Sequence, residues 1–146
     1  MEVRSVEAIP LEHSLEPGRA LGGTRGQTDT RTATLVRVET ADGTVGWGGS
    51  VRPAAHRCDL IEETFAEAIV GEEPIVAESL AERVYAGDIG GYHFARGGFV
   101  QAALSGVEVA LWDLRGKELD APVHELLGGG RTESLVPYAS TMYVTE

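Results

Sequence analysis

The stretch Val100-Gln101-Ala102-Ala103-Leu104-Ser105-Gly106-Val107-Glu108-Val109-Ala110-Leu111-Trp112-Asp113-Leu114-Arg115-Gly116-Lys117 decides how this chain folds. Val100, Leu104, Val107, Leu111 and Leu114 recur at spacings of three and four, which places them on one face of a helix. Val109 and Trp112 fall on the other side, so the pattern predicts a helix buried on both faces. Toward the carboxyl end, Pro122 is pre-organised for the first turn of a short helix, and Gly128 to Gly130 end it. Leu135 to Ala139 then reads as a strand.

Working toward the amino end, Gly87 to Gly98 holds five glycines and reads as a loop. Val76, Leu80 and Val84 sit four apart and predict a helix. Cys58, Ile61, Phe65 and Ala68 form the stripe of another, which Gly71 and Pro74 stop. Upstream the period changes to two. Thr34, Val36 and Val38 alternate with Leu35, Arg37 and Glu39, as in a strand with two distinct faces. Asp42-Gly43 suits a tight hairpin, and Val45 to Gly48 is the return strand. Val3 to Leu11 is a further strand, and the glycine-rich, polar Glu12 to Thr30 reads as a loop. Strands first and helices afterwards argue for an α+β fold, a three-stranded antiparallel meander followed by a helical bundle.

Composition narrows the function classes. The chain has 146 residues, enough for one domain with its own core. Twenty-three acidic residues against 12 basic ones leave a net charge of −11, which repels nucleic acid and anionic membranes. Lys117 is the one lysine; the other basic residues are arginines. Acidic excess with so little lysine resembles proteins of salt-loving organisms; the alternative is a genome that favours arginine codons. A single cysteine, Cys58, excludes an internal disulfide and fits a reducing cytoplasm. Met1 to Pro10 does not read as a signal peptide, and no apolar run approaches the ~20 residues of a membrane span.

The run Ser105 to Lys117, with its continuation Pro122-Val123-His124-Glu125-Leu126-Leu127-Gly128-Gly129, is similar to a signature segment of the mandelate racemase and muconate lactonizing enzyme group of the enolase superfamily. The hairpin Asp42-Gly43-Thr44-Val45-Gly46-Trp47-Gly48 resembles the same group's second and third strands, and order and spacing match from about Val3 to Ser140. Gly49 departs from the pattern, since many relatives carry Glu after Trp-Gly. The resemblance implies an amino-terminal capping domain over residues 1–133, followed at 134–146 by the first strand and start of a truncated (β/α)₇β barrel. In such enzymes a base removes the proton next to a substrate carboxylate, and Mg²⁺ stabilises the enediolate. A barrel needs roughly 200 residues or more, so the metal-binding carboxylates and catalytic bases of the group have no counterparts here. The expectation is therefore Mg²⁺ in the full-length enzyme and none bound by this chain, with no catalytic or metal-ligating residue carried over.

Three regions are candidates for substrate contact. The loop Glu12 to Thr30 matches the group's mobile capping loop, and Arg19 and Arg25 could grip a carboxylate or sugar hydroxyls. They could equally be solvated arginines paired with nearby acids. Arg52 and His56 lie in the stretch that resembles the second capping loop, or are simply residues at a helix start. Tyr138 and Ser140 stand two apart near the carboxyl end of the expected strand, so both should face the substrate while Ala139 packs outward. Alternatively, Tyr138 is barrel core. The four histidines show no paired ligand spacing, the glycines match no phosphate-binding loop, and Glu108 and Asp113 diverge around the helix. Cys58 on its apolar stripe reads as a small buried hydrophobe.

The reading that follows is the capping domain of an α-proton-abstracting lyase or isomerase. Its substrate would be a small carboxylic acid, most consistently a sugar acid undergoing dehydration. Partners would be that substrate and the barrel domain, with homo-oligomerisation allowed. The rival readings are a stand-alone interaction or dimerisation module and a remnant without function.

Overall fold

In the computed structural model, residues 2–16, 18, 21–23, 26–51, 55–74, 79–91, 93–94, 98–130 and 134–138 are described. Strand β1 runs over Val3–Ser14, β4 over Thr30–Thr40 and β5 over Val45–Val51. They form an antiparallel sheet in the order β1-β4-β5. Between β1 and β4 a separate pair, β2 (Leu21–Gly23) and β3 (Gly26–Thr28), makes a small hairpin. The segment expected to be loop from Glu12 to Thr30 is therefore partly strand. Its polar residues tolerate that because this end of the sheet is open to water, and Leu15 N–H closes the ladder on Asp29 C=O at 2.6 Å.

The tight turn between β4 and β5 follows its chemistry. Asp42 Oδ1 accepts from the Thr40 hydroxyl at 2.6 Å and from Thr44 N–H at 3.1 Å. Gly43 takes φ +89°, where a side chain would be strained. These two bonds hold the Asp42 carboxyl below its usual pKa, the Thr40 bond contributing most.

One face of the sheet carries the helices. After β5 come α1 (Ala55–Asp59), a π-helical segment (Leu60–Phe65) and α2 (Ala66–Ile69), which together form the predicted Cys58-to-Ala68 stripe. The π geometry shows as the five-residue bond from Ala66 N–H to Ile61 C=O. Helix α3 (Leu80–Ala86) ends on Gly87 at φ +89°, and the long helix α4 (Gly98–Leu119) crosses β4 and β5. A last turn, α5 (Val123–Leu126), starts after an extended Pro122. The core lies between sheet and helices. Val36 and Val38 meet Ile61, Phe65, Ile69, Leu104, Val107, Leu111 and Leu114, all within 1% of complete burial. Each such aliphatic or aromatic side chain stabilises the fold by about 1.5–3 kcal/mol.

The long helix is buried on one side only. Val109 is 52% exposed and Trp112 half-buried, because the described residues supply one layer against it and none on its far face. Among the described residues, Ser134 to Tyr138 is exposed and pairs with no strand. Cys58 is half-buried against the core, and desolvation, then Glu62 and Asp59, push its thiol pKa up.

Candidate functional site

The strand that leads into the second capping segment is pressed onto the long helix. A Cβ on Gly46 would lie 2.2 Å from the Ala110 carbonyl oxygen, and one on Gly48 would lie 1.9 Å from that of Gly106. Side chains are thus excluded at both positions, and β5 sits directly on the helix backbone. Gly106 is equally constrained: a Cβ there would meet Val36 Cγ2 at 2.8 Å. Ser50 adds a hydroxyl donor to the Ala102 carbonyl.

The free edge of β5 is closed from the same helix. Asp113 Oδ2 accepts Trp47 N–H at 2.8 Å and Lys117 Nζ at 2.7 Å, while Lys117 Nζ also donates to Val45 C=O at 2.7 Å. One acid and one lysine, spaced i to i+4, therefore satisfy a donor and an acceptor of the sheet edge. The opposite edge is treated alike. Ala8 N–H donates to Glu62 Oε1 at 2.8 Å, and Val3 exchanges backbone bonds with Glu72 and Gly71. Sequence reasoning missed this use of Asp113 and Lys117. The available signal was the i, i+4 pair itself, in a chain with one lysine.

The residues expected to meet substrate are not assembled by this chain. His56 stands on the first turn after the capping segment, with its side chain 90% exposed and Nδ1 3.9 Å from Asp59 Oδ2. Tyr138 is 89% exposed. Arg19, Arg25, Arg52 and Ser140 lie outside the described residues, as does Ala139. Among the described residues no group of three or more His, Cys, Asp or Glu side chains could hold a metal ion. Among the described residues the donor set does not fit Mg²⁺: Asp113 is engaged by a backbone N–H and a lysine. No helix among the described residues is long and apolar enough to cross a membrane. Among the described residues, a recess bounded by Asp113, Lys117, Asp120 and Pro122 is the seam between the long helix and the turn after it.

Comparison with known proteins identifies the architecture. Residues 12–128 match the mandelate racemase / muconate lactonizing enzyme amino-terminal domain, and the chain belongs to that family. It is 33% identical over 142 residues to a D-galactarolactone cycloisomerase of Agrobacterium fabrum, covering 96% of this chain and 35% of the relative. It is 33% identical over 107 residues to a D-galactonate dehydratase of Variovorax paradoxus, covering 72% and 27% respectively. The crystal structure of the 3,6-anhydro-D-galactonate cycloisomerase from Zobellia galactanivorans superposes with a TM-score of 0.72 at 34% identity, covering 90% of this chain and 33% of that one. The chain thus spans about a third of the length of these relatives.

Proposed function

We propose that this chain is the capping, substrate-selecting domain of a Mg²⁺-dependent enzyme that abstracts the proton α to the carboxylate of a sugar acid, and that it is inactive alone. The observation that carries this reading is the family match over residues 12–128, together with relatives named for galactose-derived acids and lactones. Dehydration is the reaction we favour. Cycloisomerisation is the second reading, favoured by the relative that aligns over 96% of the chain. Residues 1–133 form the cap and 134–146 open the barrel, whose first strand would bring Tyr138 and Ser140 to the substrate. Arg19, Arg25, Arg52 and His56 would approach it from the capping segments.

Two features support the division of labour. Among the described residues, the far face of the long helix leaves Val109 exposed and Trp112 half-buried, as a surface that meets a barrel would. The Asp113 and Lys117 contacts hold β5, and so set where the segment carrying Arg52 and His56 begins. Acidic excess with one lysine supports a high-salt cytoplasm as its home.

The test has two arms. The purified chain, given Mg²⁺ and a panel of aldonic acids, aldaric acids and lactones, should show no turnover above a buffer control; clear turnover free of host enzyme overturns the assignment. In a chimera that places this chain on a relative's barrel, dehydration or cycloisomerisation should return. Tyr138→Phe and Ser140→Ala should then each lower kcat/KM by about fivefold or more, as expected for a lost hydrogen bond of ~1 kcal/mol.

A further inference from the structure

Arg57 is buried where an arginine is seldom found. It stands on α1, one residue after His56, and is 8% exposed. Arginine is almost never enclosed to this extent unless its charge is met. Its guanidinium carbon lies 5.0 Å from the centre of the Phe99 ring. The negative face of the ring attracts the cation, and the flat guanidinium matches it in shape. Phe99 belongs to the first turn of the long helix α4 and is exposed, so part of its ring covers the guanidinium and the rest meets water.

The contact joins the starts of two helices. Helix α1 follows the second capping segment, and α4 follows the glycine-rich stretch 87–98. Helix α1 has five residues and continues into the π-helical segment Leu60–Phe65. So short a helix has little stability of its own, and its hydrogen-bond register changes where the π segment begins. Side-chain contacts must therefore set how it is turned. Cys58 packs against the core, and Arg57 lies on Phe99. Neighbouring helix positions are about 100° apart, so holding Arg57 inward turns His56 outward. The His56 side chain is indeed exposed. Filling space would need only the arginine stem; the ring over the guanidinium adds a contact that fixes direction.

We propose that Arg57, held on the Phe99 ring, is a positioning residue that fixes the rotation of α1 and with it the direction of His56 toward the substrate. The substrate side of this rests on the capping-domain reading; the hold on α1 does not. Nitrogen-15 relaxation on the full chain tests the hold. Arg57→Met keeps the stem and removes the guanidinium. It and Phe99→Leu should each lower the order parameters of residues 56–59 from about 0.85 to about 0.6 or less, while those of β4 stay as in the parent. Arg57→Lys and Phe99→Tyr keep a cation and a ring, and should restore the parent values. In the chimera on a relative's barrel, Arg57→Met should raise KM by about fivefold or more with kcat within about twofold, and His56→Ala should raise KM as well. Order parameters that are unchanged in Arg57→Met overturn the proposal, whatever His56→Ala does. So does a loss of order that extends through β4, which would make Arg57 an ordinary core residue. A loosened α1 with KM untouched by both Arg57→Met and His56→Ala overturns the substrate-side reading of His56, and this role for Arg57 with it.

Discussion

Asp113, Lys117 and Glu108 share one helix and have two different fates. The first two are neutralised in contact with each other and with the sheet edge. Glu108 is partly desolvated, and burial raises its carboxyl above the usual 4.5. The folded state therefore favours its protonated form. That contribution is fully present below the unfolded value and is lost as pH climbs through the raised folded value. Glu108→Gln removes the titration. Thermal melts of the two proteins should coincide below about pH 4 and diverge above it, with the variant melting higher at neutral pH. Identical pH slopes for both would show that Glu108 is solvated after all. Nothing in the sequence distinguished Glu108 from other helix-surface acids, because desolvation depends on neighbours that are remote along the chain.

At the scale of elements, the decisive contact is β5 against the long helix. Adjacent glycines in that strand have opposite environments: Gly48 faces the Gly106 carbonyl, and Gly49 faces open space. Gly48→Ala must push strand and helix apart and should destabilise by about 3 kcal/mol or more. Gly49→Ala should stay within about 0.5 kcal/mol of the parent. Chemical denaturation of the two variants checks the register directly, since equal effects would mean that the strand is turned differently. The strand itself was legible from Asp42-Gly43 and the alternation of Val36 and Val38. Its close seat on the helix was half legible, as small residues at 46, 48 and 50 opposite Gly106 and Ala110. The β2–β3 hairpin was not legible, because its glycines signal turns whether or not the flanking backbone pairs.

At the scale of the molecule, charge and uncovered surface act together. A net charge of −11 repels itself, and the far side of the long helix leaves Val109 and Trp112 partly in water. Screening the first should raise stability even though the second is unchanged. Melting temperatures in low and molar KCl should differ by about 3 °C or more, roughly 1 kcal/mol for a chain of this size. A melting temperature that is high and the same in both salts would contradict this account.

The order of elements, the antiparallel meander, the helix from Val100 to Lys117 and the family were all determined by local pattern. Periods of two and of three to four, turn residues and a signature run are properties of neighbouring residues, so they can be read without coordinates. What surrounds each residue was decided only by tertiary structure. The period of the long helix correctly placed Leu104, Val107 and Leu111 on the core side, but it could not say that Val109 would remain uncovered. Only folding brings Asp113 to Trp47, 66 residues away, and Glu62 to Ala8, 54 residues away. Sequence separation carries no information about such meetings, because they are set by how layers stack rather than by the chain's local preferences.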